Sequence, residues 1–205
     1  MSDMQYAKKA EKEDDCDKEK DGPIPLAEKL VKSRSILLSK PVDDKMVESV
    51  SAQLFIMQED DAHKPITVYV NSPGGAADCG FAIYDLFRYV QPKVITVCSG
   101  ICASAAILIF LGGQKGSRYS LPNSRFLLHQ PSTQAQGTAS DLQITAQEII
   151  KLRSRYNEIV GREIGKSPEQ ITQDCARDFW LSAEEAQRYG LIDQVIISKD
   201  EIKGL

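Results

Sequence analysis

The stretch "KVITVCSGICASAAILIFLGG", Lys93 to Gly113, decides the fold. Val94 to Leu111 carries no charge over eighteen residues, near the lower limit for a helix that crosses a bilayer. Its internal texture argues for a soluble core instead. "KVITVCSG" has the β-branched density of a strand, and "CASAAILIFLGG" reads as a helix closed by glycine, with Ser99, Gly100 and Ser104 breaking the run between and within them. A buried strand, a tight turn and a buried helix produce the same hydropathy as a membrane span, so no membrane insertion is expected.

The flanking sequence repeats that alternation. Val47, Val50, Leu54 and Met57 recur at helical spacing after Asp43 and Asp44, either of which is placed to cap the helix. "ITVYV" reads as a strand that stops at "NSPGG", Ala77 to Val90 as a helix ended by Pro92, and "RYSLP" and "RFLLHQ" as two more short strands. The order strand, helix, strand, helix, strand predicts an α/β fold with a largely parallel, twice-covered sheet and right-handed crossovers. Beyond the polar loop "PSTQAQGTASD", Leu142 to Val160 is a long amphipathic helix able to project. Ser167-Pro168 then starts a helix, "FWL" is an apolar connection, Ser182 and Glu185 form a capping box, and "LIDQVII" is a last strand.

With 205 residues the chain suits one well-cored domain, expected over 23–205, after a charged tail over 1–22 that contains almost no large apolar residue and is expected to be disordered. That tail has no apolar segment that could act as a secretory signal. A formal net charge of -4 provides no attraction for a polyanion, so nucleic acid is not an expected partner. Five cysteines without CxxC spacing, and two histidines far from them, predict neither a zinc site nor a disulfide framework; buried thiols in a reducing cytoplasm are expected. "GREIGKS" from Gly161 has one residue too few between its glycines for a phosphate-binding loop and follows a helix, so this chain is expected to need no nucleotide and no other cofactor.

Four pieces carry chemistry. Ser104 opens the apolar helix, where unpaired N–H groups and the helix dipole favour an oxyanion, and its neighbours are small enough for a carbonyl to approach. A helix cap is the plainer reading of the same serine. A serine nucleophile needs a base: His63 lies in a polar turn, whereas His129 ends the strand "RFLL". Ala105 to Leu128 contains no acidic residue, so the acid does not lie between them; if it follows the histidine, the chain order differs from the α/β-hydrolases, chymotrypsin and subtilisin, and spacing alone does not choose among later acids such as Asp141, Glu148 and Asp178. Gly74 and Gly75 of "NSPGG" are able to present backbone N–H groups without a side chain in the way.

Taken in order, "YVNSPGG", "GICASAA", "LPNSRFLLHQP", "QAQGTASDL" and "DCARDFWLSAEEAQRYGLID" resemble the successive signatures of ClpP, the Clp protease proteolytic subunit, from about Leu26 to Ile197. The resemblance implies a crotonase-like subunit with a protruding helical handle near 130–160. It implies two stacked heptameric rings around a proteolytic chamber, acting in protein quality control. By motif it assigns Ser104 as nucleophile, His129 as base, Asp178 as acid, and the N–H groups of Gly75 and Ala105 as the oxyanion hole. The implied partners are unfolded polypeptide, further ClpP-type subunits of the same or a paralogous chain, and an AAA+ unfoldase that spends the ATP.

Three positions depart from the family's pattern. Ala105 stands where methionine is usual, Ala176 where an acidic residue often precedes the arginine, and "KDGPIPLAEKLV" replaces the usual N-terminal motif. The expected function is that of a serine endopeptidase. The alternatives are a structural or regulatory ring subunit that needs a ClpP paralogue, a crotonase-type acyl-CoA enzyme, and a Cys102 nucleophile acting with His129.

Overall fold

The computed structural model describes residues 26–203; the expected charged tail lies outside them. In chain order the elements are α1 (Leu26–Lys32), β1 (Ser35–Leu38), α2 (Asp44–Asp60), β2 (Ile66–Ser72), α3 (Ala77–Tyr89), β3 (Val94–Ala103) and α4 (Ala105–Gly112). Then come β4 (Arg118–Ser120), β5 (Arg125–Leu128), α5 (Ala139–Ile164), α6 (Pro168–Asp174), β6 (Phe179–Ser182), α7 (Ala183–Tyr189) and β7 (Gln194–Val195), with a 3-10 turn at Lys199–Glu201.

Local chemistry sets most helix ends. The Asp43 carboxylate accepts from the Met46 N–H at 2.8 Å and starts α2. Reciprocal capping boxes, Thr138 with Asp141 and Ser182 with Glu185, start α5 and α7. Gly165, left-handed at φ 76°, ends α5, so "GREIGKS" is a helix terminus and not a phosphate loop.

Two expectations from the sequence are corrected. The strand does not stop at Ser99-Gly100: β3 continues to Ala103, and only Ser104 separates it from α4. Opposite Val70 to Ser72 of β2, the pairing jumps from Cys98 to Cys102, so the residues between them form a bulge. The bulge is held from both sides, because the Asn71 side-chain oxygen accepts from the Ile101 N–H at 3.0 Å and Ser124 Oγ accepts from the Gly100 N–H at 3.2 Å. "FWL" is likewise not a connection but the core of β6, since its alternating inward residues pair with β5.

The sheet runs β1-β2-β3-β4-β7, all parallel, with β5 pairing the far end of β3 and β6 closing antiparallel on β5. The bulge makes this possible: Thr96 to Cys98 pair with β4, and Ile101 to Ala103 pair with β5. The covers of the two faces are unequal. The main core joins Val50, Leu54 and Met57 of α2, Phe81 and Phe87 of α3, all of α4, and the C-terminal half of α5. On the opposite face Ile95, Val97 and Tyr119 are buried mainly beneath Ile196 and Ile202 near the C-terminus.

Every residue of α4 is buried, which accounts for its uniform hydropathy without any bilayer. Among the described residues no helix is long and apolar enough to cross a membrane. Around α5 the picture differs: only residues from Tyr156 onward are buried, and Leu142, Ile144 and Ile150 of its N-terminal half are exposed. At ~1.5 Å per residue, its 26 residues span roughly 39 Å, so that half extends beyond the core.

One buried ion pair ties β4 to the base of α5. Arg118 meets Glu163 with both side chains 3% exposed, and the Tyr84 hydroxyl donates to the other Glu163 oxygen at 2.6 Å. Burial opposes the Glu163 charge, but the hydrogen bonds from Tyr84 and Arg118 prevail and hold its carboxyl below the usual range. A depressed folded pKa means that the unfolded chain takes up the proton first as pH falls. Stability from this group is therefore present above about 4.5, the ordinary glutamate value, and is lost as pH drops through the lower folded value. Glu163→Gln leaves the guanidinium without its counter-charge and is expected to cost roughly 3–5 kcal/mol at neutral pH, read from urea midpoints. The acid-induced loss of stability should be shallower in that variant than in the parent.

Candidate active site

Strand register brings the separated sequence motifs together. In the parallel pair β3/β5, Ala103 sits opposite Leu127, and the Ser104 N–H donates to the Leu127 carbonyl at 2.9 Å. Ser104 and His129 thus leave the same ends of neighbouring strands. In the antiparallel pair β5/β6, Leu128 sits opposite Phe179, and one further step sets His129 against Asp178. On the other side β2 delivers Ser72 against Cys102, which carries Gly74 and Gly75 to the turn after β3.

Ser104 adopts φ 56°, ψ -123°, a conformation that L-residues rarely take. Although it occupies the N-cap position of α4, its side chain makes no capping hydrogen bond. The plainer reading of this serine, a helix cap, is excluded: the hydroxyl is held at a strained strand-to-helix turn without serving the helix, as in a nucleophile elbow.

Gly74, at φ 89°, makes that turn possible. A β-carbon there would lie 2.5 Å from the Ala103 carbonyl oxygen and 2.7 Å from Ser104 Cβ, closer than real contacts allow. Gly75 is pressed against β1's continuation, where a β-carbon would be 2.2 Å from the Val42 oxygen. Val42 binds around it: its N–H donates to the Gly74 carbonyl and its own carbonyl accepts from Ala76, each at 2.9 Å. The Gly75 N–H is left without a backbone acceptor among the described residues, as is the Ala105 N–H in the first turn of α4. Free N–H groups at a loop and a helix start provide the elements of an anion-stabilising hole.

A cleft of about 290 Å³ collects these groups, bordered by Gly75, Ser104, Ala105 and His129, with Leu108 and Tyr156 among its other walls. A second hollow that also borders His129 is lined by Asp178 and Cys175. His129 is thus shared by the hollow that holds Ser104 and the one that holds Asp178. His129 Nδ1 lies 3.7 Å from Asp178 Oδ1, within ion-pair range but longer than a hydrogen bond, and the Asp178 side chain is 65% exposed. A roomier hollow of about 420 Å³ beside β1 and α2 contains neither histidine nor cysteine, so size does not choose the site. His63 is exposed at the end of α2, away from this cleft.

The Cys102 alternative fails on position. Cys102 is wholly buried on β3, does not border the cleft, and burial pushes its thiol well above the usual range. A thiol that stays protonated is a poor nucleophile. Asp141 and Glu148, open choices by spacing, lie on the projecting part of α5; the Asp141 carboxylate is occupied in the Thr138 capping box. Neither borders the hollows that contain His129. Sequence reading missed the role of Asn71 in setting the β3 bulge, and the contribution of Tyr156 to the cleft; a tyrosine on an amphipathic helix gives no sign of which cavity it reaches.

A family model described as Clp protease matches residues 19–199. The structure of a ClpP1 point mutant from Listeria monocytogenes superposes with a TM-score of 0.81 at 37% sequence identity, covering 87% of this chain and 100% of that one.

Gly74→Ala is expected to displace the Ser104 turn while leaving the remote core intact. Fluorophosphonate labelling of Ser104 should fall at least about tenfold, as contact with a misplaced nucleophile implies, with little change in the far-ultraviolet circular dichroism.

Proposed function

The chain belongs to the Clp protease family, and from that premise we propose that it is a serine endopeptidase subunit hydrolysing unfolded polypeptide through Ser104, His129 and Asp178. The observation that carries this reading is the strained, uncapped Ser104 hydroxyl sharing one cleft with His129 and two unpaired N–H groups. An acyl-CoA enzyme of crotonase type loses its place, since the match is to the protease family.

The chemistry follows from the positions. Ser104 Oγ attacks the scissile carbonyl as His129 takes its proton, and the carbonyl oxygen, now negative, is stabilised by the Gly75 and Ala105 N–H groups. The leaving amine receives that proton from His129, and the freed peptide departs. Water then enters, gives its proton to His129, attacks the acyl carbon, and the serine is regenerated as the proton returns to its oxygen. Asp178, across the antiparallel pair, holds the Nδ1 tautomer and stabilises the imidazolium. Substrate would lie extended between the glycine turn and the segment after His129, pairing through its main chain.

The protruding half of α5, with Leu142, Ile144 and Ile150 exposed, has the character of an assembly surface and would be the handle that joins two rings. An AAA+ unfoldase would deliver substrate, spending the ATP that this chain does not use. A second reading rests on the 3.7 Å gap between His129 and the exposed Asp178. In it the subunit is structural or regulatory, and its triad tightens only when a paralogous ClpP subunit packs beside it.

Ser104→Ala should reduce hydrolysis of a fluorogenic peptide by at least about four orders of magnitude, and Asp178→Asn by about 10⁴ in kcat. Parallel native mass measurement separates the two readings. A labelled, active double ring of this chain alone supports self-sufficiency; small, unlabelled particles that gain activity on adding a paralogue support the second.

A further inference from the structure

Asp178 is not fixed by packing. Its side chain is 65% exposed and 3.7 Å from His129, and Ala176 to Asp178 belong to no helix or strand, lying between α6 and β6. The place of the carboxylate therefore depends on what holds that short backbone segment. On one side Phe179 pairs with Leu128 across the β5/β6 ladder. On the other, a side chain continues the pairing where the ladder stops: Gln130 Nε2 donates to the Ala176 carbonyl at 3.3 Å, the one hydrogen bond this oxygen accepts among the described residues. His129 and Asp178 are thus flanked by a tie on each side.

The other end of the same amide is held from α5, because Arg153 Nη1 donates to Gln130 Oε1 at 3.4 Å. A guanidinium only donates and a backbone carbonyl only accepts, so a bridge between them needs an acceptor and a donor on one planar group. Glutamine has both; glutamate would face the Ala176 carbonyl with a second acceptor. Ala176 offers no polar side chain of its own by which the segment could be anchored.

We propose, resting on the peptidase reading above, that Gln130 is a positioning residue: with its amide oriented by Arg153, it holds the Ala176 carbonyl and so sets the distance from Asp178 to His129. It acts through Asp178 and not on substrate, since it borders the hollow of Asp178 and not the Ser104 cleft. Without this tie the carboxylate moves away from the ring, and the imidazolium formed during peptide cleavage loses its stabilisation while substrate binding is untouched.

The test compares Gln130→Met, which removes both hydrogen bonds at similar volume, with Gln130→Glu, which keeps the acceptor for Arg153 alone. Each full-length chain is assayed on a fluorogenic peptide in the assembly that the parent forms, with native mass and fluorophosphonate labelling of Ser104 measured in every preparation. Both substitutions should lower kcat about tenfold, as loss of one hydrogen bond implies, and leave KM unchanged. In an Asp178→Asn background, followed with an activated fluorogenic ester, Gln130→Met should cost less than about twofold more, because the group it places is already disabled. In a parent that labels, a parental kcat in either variant, a loss carried by KM, or the full tenfold loss repeated on Asp178→Asn overturns this proposal alone. Gln130 is exposed, so both variants should assemble as the parent does; failure to assemble shows a structural role and overturns it too. A parent that is not labelled under any assembly condition overturns the peptidase reading, and this proposal with it.

Discussion

The register of β5 between β3 and β6 is the constraint on which everything else rests. Arg125 to Leu127 pair in parallel with the end of β3, and all four residues of β5 pair antiparallel with the whole of β6. A strand has period two, so a slip of one residue would turn His129 away from Ser104 and Asp178 and move Phe126 and Leu128 out of the core. Both of those side chains are fully buried, and Phe126 meets the ring of Phe110 edge to face at 5.5 Å. The same apolar contacts that hold the core therefore hold the polar site in place.

That arrangement needs β3 to serve two different neighbours, and the bulge after Cys98 is what divides it. Without the extra residues, the strand would run on beside β4 and offer no separate edge to β5. The bulge is stabilised by polar side chains, Asn71 and Ser124, that hydrogen-bond its freed N–H groups. Backbone strain is then concentrated at Ser104 and relieved on the other side by Gly74, whose missing side chain leaves room for the turn. Strain, bulge and glycine are parts of one geometric solution. Each is costly alone and tolerable because the buried helix α4 fixes the turn from beneath.

The site is polar where it faces the cleft and dry behind. Cys98 and Cys102 are wholly buried on the strand that leads to Ser104, and α4 offers no polar side chain of its own. In such surroundings unpaired N–H groups and a strained hydroxyl would act on a bound carbonyl, in the proposed reaction, with little competition from water. Asp178 is the exception: it lies at the open side, on the approach to the edge strand β6, where a neighbouring subunit in the proposed ring would alter its exposure.

Much was legible in the residues themselves. Periodicity located α2, α3, α5 and the parallel strands after β1, because amphipathic helices and β-branched strands leave local marks. Cap signals at Asp43, Ser167 and Ser182 marked helix starts for the same reason. The ordered motifs pointed to the family and to Ser104, His129 and Asp178 as candidates. What remained hidden depended on partners distant in the chain. "FWL" became a strand because β5 offered an edge, β3 outran its apparent stop because Asn71 and Ser124 satisfied a bulge, and α1 and β1 carried too weak a pattern to be read in advance. Spacing left three acids open, and only sheet register set Asp178 across from His129. The sequence by itself determined which segments become helix or strand, since propensity and capping act over a few residues. The tertiary structure alone decided which side chains meet, since strand order and register are set by burial across the whole core.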